Sequence, residues 1–328
     1  MRGPLVENTH HVAVAVVSAD GKLIARCGDP QQVMVLRSTA KPFQAQALFH
    51  TDAVTRYHVS QHELALACAS HDSTPEHVDR VRAWLARLGL TDEDLGCGPH
   101  LPGHEASRHR LIRTQPKGPR PIHNNCSGKH AGMLTACLTA GWSLATYLAA
   151  DHPLQQIIRA TIEDLSGFVP LLGAVDGCSA PTFGLPVTGL ARMYGRLADP
   201  LRAPEAYRRG LAAAYEAMRE HPELVAGPTT LDTLLMRTYP DIIAKRGADG
   251  GYGMAIRQHP LGPLGVGVWV SDGSTAARDC AVLEVLRFLE ISADSGGPLD
   301  RNETVIRRNC RNVDVGRLEA RLELQWCL

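Results

Sequence analysis

Lysine is the scarce residue of this chain. Of 34 basic residues only five are lysine, at Lys22, Lys41, Lys117, Lys129 and Lys245, and the other 29 are arginine. A genome rich in G and C favours arginine codons, which accounts for the ratio but not for where the lysines survive. Arginine keeps its charge, whereas a buried lysine can be pushed toward neutrality and serve as a base or a ligand. Net charge is also missing: 34 basic residues against 34 acidic ones give zero, so nothing points to a nucleic-acid or acidic-membrane partner. No apolar stretch approaches the ~20 residues of a membrane helix. The first residues show no basic segment followed by an apolar run, so no secretory signal is expected. The nine cysteines are dispersed, odd in number and without a C-x-x-C pair, which fits a reducing cytoplasm better than a disulfide framework. Internal repeats and low-complexity segments are absent.

What is present is an ordinary globular composition, 44% apolar and 21% charged over 328 residues, enough for one large domain or two lobes. The run Val12 to Val17, the turn signal Asp20-Gly21 and the return run Leu23 to Ala25 predict a β-hairpin. Near the other end, Leu264 to Val270 reads as a strand. Ser274 or Thr275 then caps a helix with Val282, Val285, Leu286 and Leu289 on one face. The middle is helical. Ser60-Gln61-His62-Glu63 is a capping box, Thr74-Pro75 opens a helix through Val78, Val81, Leu85 and Leu88, and Thr188 starts another through Leu190, Met193, Tyr194 and Leu197. Residues from about Cys97 to Asn125, rich in Pro, Gly, His and Arg, read as an active-site or interface loop. The expected fold class is α/β (α+β): an antiparallel sheet from the chain ends flanked by helices, plus a helical lobe. The sheet lobe takes residues 1–36 and 240–328 and the helix-rich lobe 37–239, as one catalytic unit with its site at the seam.

Ser38 and Lys41 stand before Phe43, Ala45, Ala47 and Leu48, which read as a helix, so one turn puts both side chains on one face. A serine at a helix N-terminus has its own backbone N–H as an oxyanion donor, and an unprotonated Lys41 could take the hydroxyl proton. Pro42 strains this picture, although a first-turn position relieves most of it. Ser70-His71-Asp72 lies between two predicted helices, and Lys245-Arg246-Gly247 follows Ile242-Ile243 where a strand begins. A serine–lysine pair, a second serine on a helix–helix loop and a K-x-G strand, in that order, form the set of the penicillin-recognising serine enzymes. The bland alternative makes Ser70 a helix cap and Lys245 a solvated strand end.

A second constellation contains Asn124-Asn125-Cys126-Ser127-Gly128-Lys129-His130 at a helix start and Val175-Asp176-Gly177-Cys178-Ser179 in a Gly/Pro-bounded loop. Two thiolates and a nitrogen make a soft zinc site, with Lys129 or His130 as the nitrogen and Asp176 placed to accept a hydrogen bond behind a ligand. A metal would keep Lys129 unprotonated. Two alternatives stay open: a pair of buried free cysteines, or Cys126 as a helix-terminus nucleophile.

Together these segments, with Arg37 to Pro42, Ala69 to His71, His123 to His130, Asp176 to Pro181 and Lys245 to Gly250, resemble the Rhizobium etli-type L-asparaginases. That family is distinct from the bacterial threonine-nucleophile enzymes and from the plant N-terminal-nucleophile type. The resemblance runs from about Thr9 to Leu322, and the Cys126 and Cys178 motifs are its most specific parts. It implies a fold related to serine β-lactamases and glutaminases, a homodimer, and L-asparagine as the small-molecule substrate. It further implies Ser38 with Lys41 and Ser70 with Lys245 as catalytic tandems. A Zn2+ ion would be held by Cys126, Lys129 and Cys178, with water completing its shell. Under this reading the nucleophile is a serine and the nitrogen ligand is Lys129. Arg37, Asn125 and His130 are substrate-contact candidates by adjacency. One departure is Arg246, where the penicillin-recognising enzymes carry a small residue. The competing readings are a zinc-water-dependent amidohydrolase acting on another small amide, and a non-catalytic zinc- or ligand-binding protein of the same fold.

Overall fold

Two β-rich runs from opposite ends of the chain meet as neighbours in one sheet. Strand Val12–Ser18 lies antiparallel to strand Leu264–Val270, with Val12 opposite Val270 and Ser18 opposite Leu264. The computed structural model describes residues 1–291 and 305–327, so part of the predicted 240–328 sheet segment, residues 292–304 and 328, lies outside the described residues. The chain divides into two units. The first comprises Met1–Thr39, Leu185–Ala198 and Leu234–Leu328, and the second Ala40–Gly184 and Asp199–Thr233.

In the first unit the expected hairpin forms, Val12–Ser18 pairing with Leu23–Cys27 around a turn in which Gly21 adopts φ +90°. The full sheet is antiparallel and runs Gln325–Trp326, Leu23–Cys27, Val12–Ser18, Leu264–Val270, Gly251–Ile256, Ile242–Arg246. Helix Val187–Ala198 packs on its central strands, and glycine decides how closely. A Cβ on Gly265 would sit 2.0 Å from the Ala191 carbonyl oxygen, and one on Gly253 would sit 2.1 Å from the Tyr194 ring. Successive strand residues face opposite sides. Leu264, Val266, Val268 and Val270 therefore point away from that helix, and all are fully buried. Helix Thr275–Phe288, capped by Ser274 Oγ accepting from Ala277 N, packs on the same strand. The hairpin Val305–Arg308 with Asp314–Leu318, and the edge strand Gln325–Trp326, are not anticipated by the sequence reading.

The second unit is mostly helical. Its central element is helix Ser127–Ala140, whose residues from Ser127 to Cys137 are all buried. A helix buried on every side lies inside a core, and the polar groups it carries there, Ser127, Lys129 and His130, are buried with it. Gly128 lets it approach helix Gln61–Ala67, because a Cβ there would lie 2.4 Å from the Leu66 carbonyl oxygen. The Ser60–Glu63 capping box forms as read. Helix Pro75–Arg87 buries Val78, Val81 and Leu85.

Two expectations fail locally. Residues 97–125 are not one loop, because helix Glu105–Thr114 forms within them. Pro102-Gly103 and Pro116 to Pro119 bracket twelve residues free of Gly and Pro, and Ser107 and Leu111 supply a buried face. The helix expected after Ser38 is broken into a 3-10 turn, Arg37–Ala40, and two four-residue helices, Lys41–Gln44 and Ala47–His50. Pro42 in the first turn has no N–H to donate, so Ser38 precedes only a stub with little dipole to offer.

Candidate active site

In the helical unit, Lys41 is 1% exposed, and its Nζ donates to the Ala69 carbonyl and, at 2.9 Å, to Ser70 Oγ. Ser70 owes its place to backbone pairing just beyond helix Gln61–Ala67. Its N–H bonds to Val225 O at 2.8 Å, and the N–H of His71 bonds to Asn125 O at 3.2 Å. Ser70 is thus not a helix cap. That role belongs to Thr74 at the start of Pro75–Arg87.

The cysteine motifs converge in the same unit. Cys126 caps helix Ser127–Ala140, its N–H held by Asn124 Oδ1 at 2.9 Å and its sulfur 3.2 Å from Asn125 Oδ1. Cys178 sits in the turn after strand Leu171–Val175, where Ser179 takes φ +68° and Asp176 bonds to Ala180 O at 2.8 Å. Lys129 Nζ reaches Cys178 Sγ at 2.9 Å, and Asp176 Oδ2 lies 3.5 Å from the same sulfur. A hydrogen bond from Cys178 holds the Cys126 thiol well below its ordinary range against the cost of burial, and Lys41 and Lys129 push it the same way. That shared bond, with burial, raises Cys178. Burial works against the Lys129 ammonium, but the two sulfurs outweigh it and its pKa rises. With their protons lost, these residues would offer two soft sulfurs and an amine, a donor set that suits zinc rather than an oxygen-seeking cation. Among the described residues no three His, Cys, Asp or Glu side chains are grouped to hold a metal, so a metal here depends on the Lys129 amine.

His130, fully buried, turns Nδ1 toward Tyr147 Oη at 2.6 Å, and that oxygen also accepts from Gly96 N at 2.8 Å. Burial pushes the His130 imidazole down to about 4. Asn125 is half-buried beside Cys126.

The sheet unit carries the other candidates. Lys245 lies in strand Ile242–Arg246, is 0% exposed and donates to Arg246 O at 2.8 Å, so it is no solvated strand end. Ser38 is half-buried in the turn Arg37–Ala40. Tyr194 Oη holds that turn by donating to Thr39 O at 2.9 Å, and Gly247 leaves it room, since a Cβ there would lie 2.9 Å from Thr39 Cγ2. Arg37 is ion-paired to Asp249, and both residues hold left-handed backbone, φ +47° and φ +53°. A cleft of about 450 Å³ in this unit, lined by residues including His10, Arg26 and Glu323, contains none of the candidates.

Tyr147, Tyr194 and Ser127 are contributors that motif reading passes over. No pattern marks the tyrosines, and Ser127 stands inside a motif without a role.

A search of curated protein sequences finds no match. Among solved structures, the chain is similar to a Bacillus glutaminase (13% identity, 86% of this chain and 91% of that one, TM-score 0.46). It is also similar to a probable glutaminase from Bacillus subtilis (14% identity, 88% and 86%, TM-score 0.43) and to a β-lactamase from Mycobacterium bovis (15% identity, 84% and 94%, TM-score 0.40). The family model described as L-asparaginase II matches residues 1–320, and the chain belongs to that family.

Proposed function

We propose that this protein is an amidohydrolase that converts L-asparagine and water to L-aspartate and ammonia through an acyl-enzyme on Ser38. Membership of the L-asparaginase II family supports the substrate class. The observation that carries the serine chemistry is the buried Lys41 amine 2.9 Å from the Ser70 hydroxyl. A buried serine–lysine contact has little to offer a protein that only binds.

Ser38 Oγ attacks the side-chain amide carbon, and Lys41 in its amine form takes the hydroxyl proton. The C–N bond then breaks, and Ser70 with Lys245 passes a proton to the departing nitrogen, leaving an ester on Ser38. Water, deprotonated by the same groups, cleaves the ester and restores the hydroxyl. Cys126, Lys129 and Cys178 are the residues that would hold Zn2+, with Asp176 accepting a hydrogen bond behind them, as in the Rhizobium etli-type enzymes this sequence resembles. When bound, the ion would supply Lewis acidity and a fixed positive charge. Arg37, Asn125 and His130 remain candidates for gripping the substrate ends. We place the protein in the cytoplasm on its dispersed, odd-numbered cysteines, and as a homodimer on the same resemblance.

The test is ammonia release from L-asparagine and L-glutamine by wild type and Ser38→Ala, with mass spectrometry of quenched wild type. Turnover of asparagine lost in the variant, and a mass gain on the peptide bearing Ser38, are expected. Activity retained in Ser38→Ala but lost in Cys178→Ala would favour attack by metal-activated water. Turnover of neither amide by zinc-loaded protein would favour a binding protein.

A further inference from the structure

His71 belongs to the motif that carries Ser70, yet the proposed reaction gives it no task. It is 1% exposed, and its ring spans two segments. Nδ1 accepts from the backbone N–H of Ser73 at 3.2 Å, and Nε2 lies 2.8 Å from Ser127 Oγ. A backbone N–H can only donate, so Nδ1 carries no proton. The ring is then the neutral tautomer, and its Nε2–H donates to Ser127. The ring stacks on His77, with centroids 4.9 Å apart and planes 13° from parallel. His77 obeys the same logic. Thr74 N donates to its Nδ1 at 3.1 Å, which leaves Nε2–H to donate to Glu223 O at 2.8 Å.

The two ends of the His71 bridge explain its use. Ser73 holds φ +51°, a left-handed conformation that a non-glycine residue keeps only when its surroundings insist. The bond from Ser73 N–H to His71 Nδ1 and the bond from Ser73 Oγ to His123 O provide that insistence. Ser127 is the first residue of the helix capped by Cys126, with Lys129 one turn in. The imidazole therefore joins the turn that presents Ser70 to the helix start that presents the sulfur–amine cluster.

We propose that His71 is a positioning residue: as a neutral bridge between Ser73 and Ser127, it sets the Ser70 hydroxyl against Lys41 in register with the Cys126–Lys129 helix start. This rests on the asparaginase reading for its kinetic consequence, but its geometry can be read without it. Displacing a reacting group by about 1 Å costs on the order of 10²-fold in rate. Substrate binding need not change.

The experiment measures kcat and KM for L-asparagine in wild type, His71→Asn, Ser127→Ala and the double variant, with rates normalised to folded protein by circular dichroism. Asn offers its Oδ1 to Ser73 N–H but falls short of Ser127, so both single variants cut the same bond. Each is expected to lower kcat by about 10- to 100-fold with KM within about threefold, and the double variant to be no slower than the slower single. Unchanged kcat in Ser127→Ala, or multiplicative losses in the double variant, would overturn the proposal. In parallel, imidazole 15N shifts of wild type at neutral pH should show His71 unprotonated at Nδ1, with a slowly exchanging Nε2–H whose protection is lost in Ser127→Ala. A doubly protonated or Nδ1–H ring sinks the bridge even if the enzyme is active. If wild type releases no ammonia from asparagine, the asparaginase reading falls, and the bridge stands or falls on the nitrogen shifts.

Discussion

Three of the five lysines are buried: Lys41 at 1%, Lys129 at 4% and Lys245 at 0% exposure, whereas Lys22 and Lys117 are exposed. Lysine is almost never fully buried unless paired, and these three amines engage a serine hydroxyl, a cysteine sulfur and a carbonyl respectively. Replacing Lys41 with Met keeps the stem's packing and removes the amine. Turnover of asparagine in Lys41→Met should fall by about 10²- to 10⁴-fold, the usual weight of a general base. Lys41→Arg should not restore it, because a guanidinium does not deprotonate. An ammonia assay decides, and a Lys41→Arg enzyme near wild-type rate would remove Lys41 from the proton path. The scarcity of lysine makes these positions legible without any structure, since each survivor asks for a reason. The contacts that orient them are not legible. Tyr147 reaches His130 across seventeen residues of chain and Gly96 across fifty-one, and neither spacing follows a helical or strand period.

The fit of helix Val187–Ala198 on the sheet shows how far patterning reaches between elements. Leu264 to Val270 reads as a strand, and its alternation does not say why residues 265 and 267 are glycine. Their reason is a close approach of helix backbone that only the fold reveals. Gly265→Ala would drive a methyl to 2.0 Å from the Ala191 carbonyl oxygen and 2.1 Å from Gly195 N. Neither is a side chain that can swing aside. The expected loss is about 3 kcal/mol or more, at the upper end for overpacking, read from urea midpoints at constant m-value. A loss under about 1 kcal/mol would mean the helix can lift off the sheet at little cost. Elements whose signals are local are legible in the sequence: the Asp20-Gly21 hairpin, the Ser60 capping box and the Ser274 cap. Helix Glu105–Thr114 is hidden in the sequence because its flanking Pro and Gly dominate the composition of the longer window. The continuous helix after Ser38 failed because Phe43, Ala45, Ala47 and Leu48 satisfy a helical period that the chain interrupts after Gln44.

At the scale of the whole molecule, zero formal charge removes any strong net repulsion at neutral pH, so stability against acid is set by individual buried groups. Burial pushes the His77 imidazole down to about 4, with Asp72 and Glu76 pulling the other way and His104 adding to the fall. Burial likewise holds His71 well below the ordinary range, helped by His77 and Lys41. Burial also lowers His50, His123 and His221. The unfolded chain takes up a proton at each of these rings near pH 6.5, and the folded chain does not until its lower value is reached. Unfolding therefore binds protons in the interval, and stability must fall as pH drops. The stabilisation is complete above about pH 6.5 and, for His77, is lost progressively down to about pH 4. A ring as deeply buried as His77 contributes up to about 1.4 kcal/mol per pH unit, and the partly exposed rings contribute less because solvent screens them. Carboxylates contribute mainly below this window, so the interval from pH 6.5 to 5 isolates the histidines. Urea midpoints across that interval should decline steeply for wild type. His77→Leu, although less stable at pH 7 for want of its bond to Glu223 O, should decline less steeply by about one ring's share. A flat profile in wild type, or an unchanged slope in the variant, would mean that His77 charges in the folded protein, and the neutral stack of His71 on His77 would have to be abandoned.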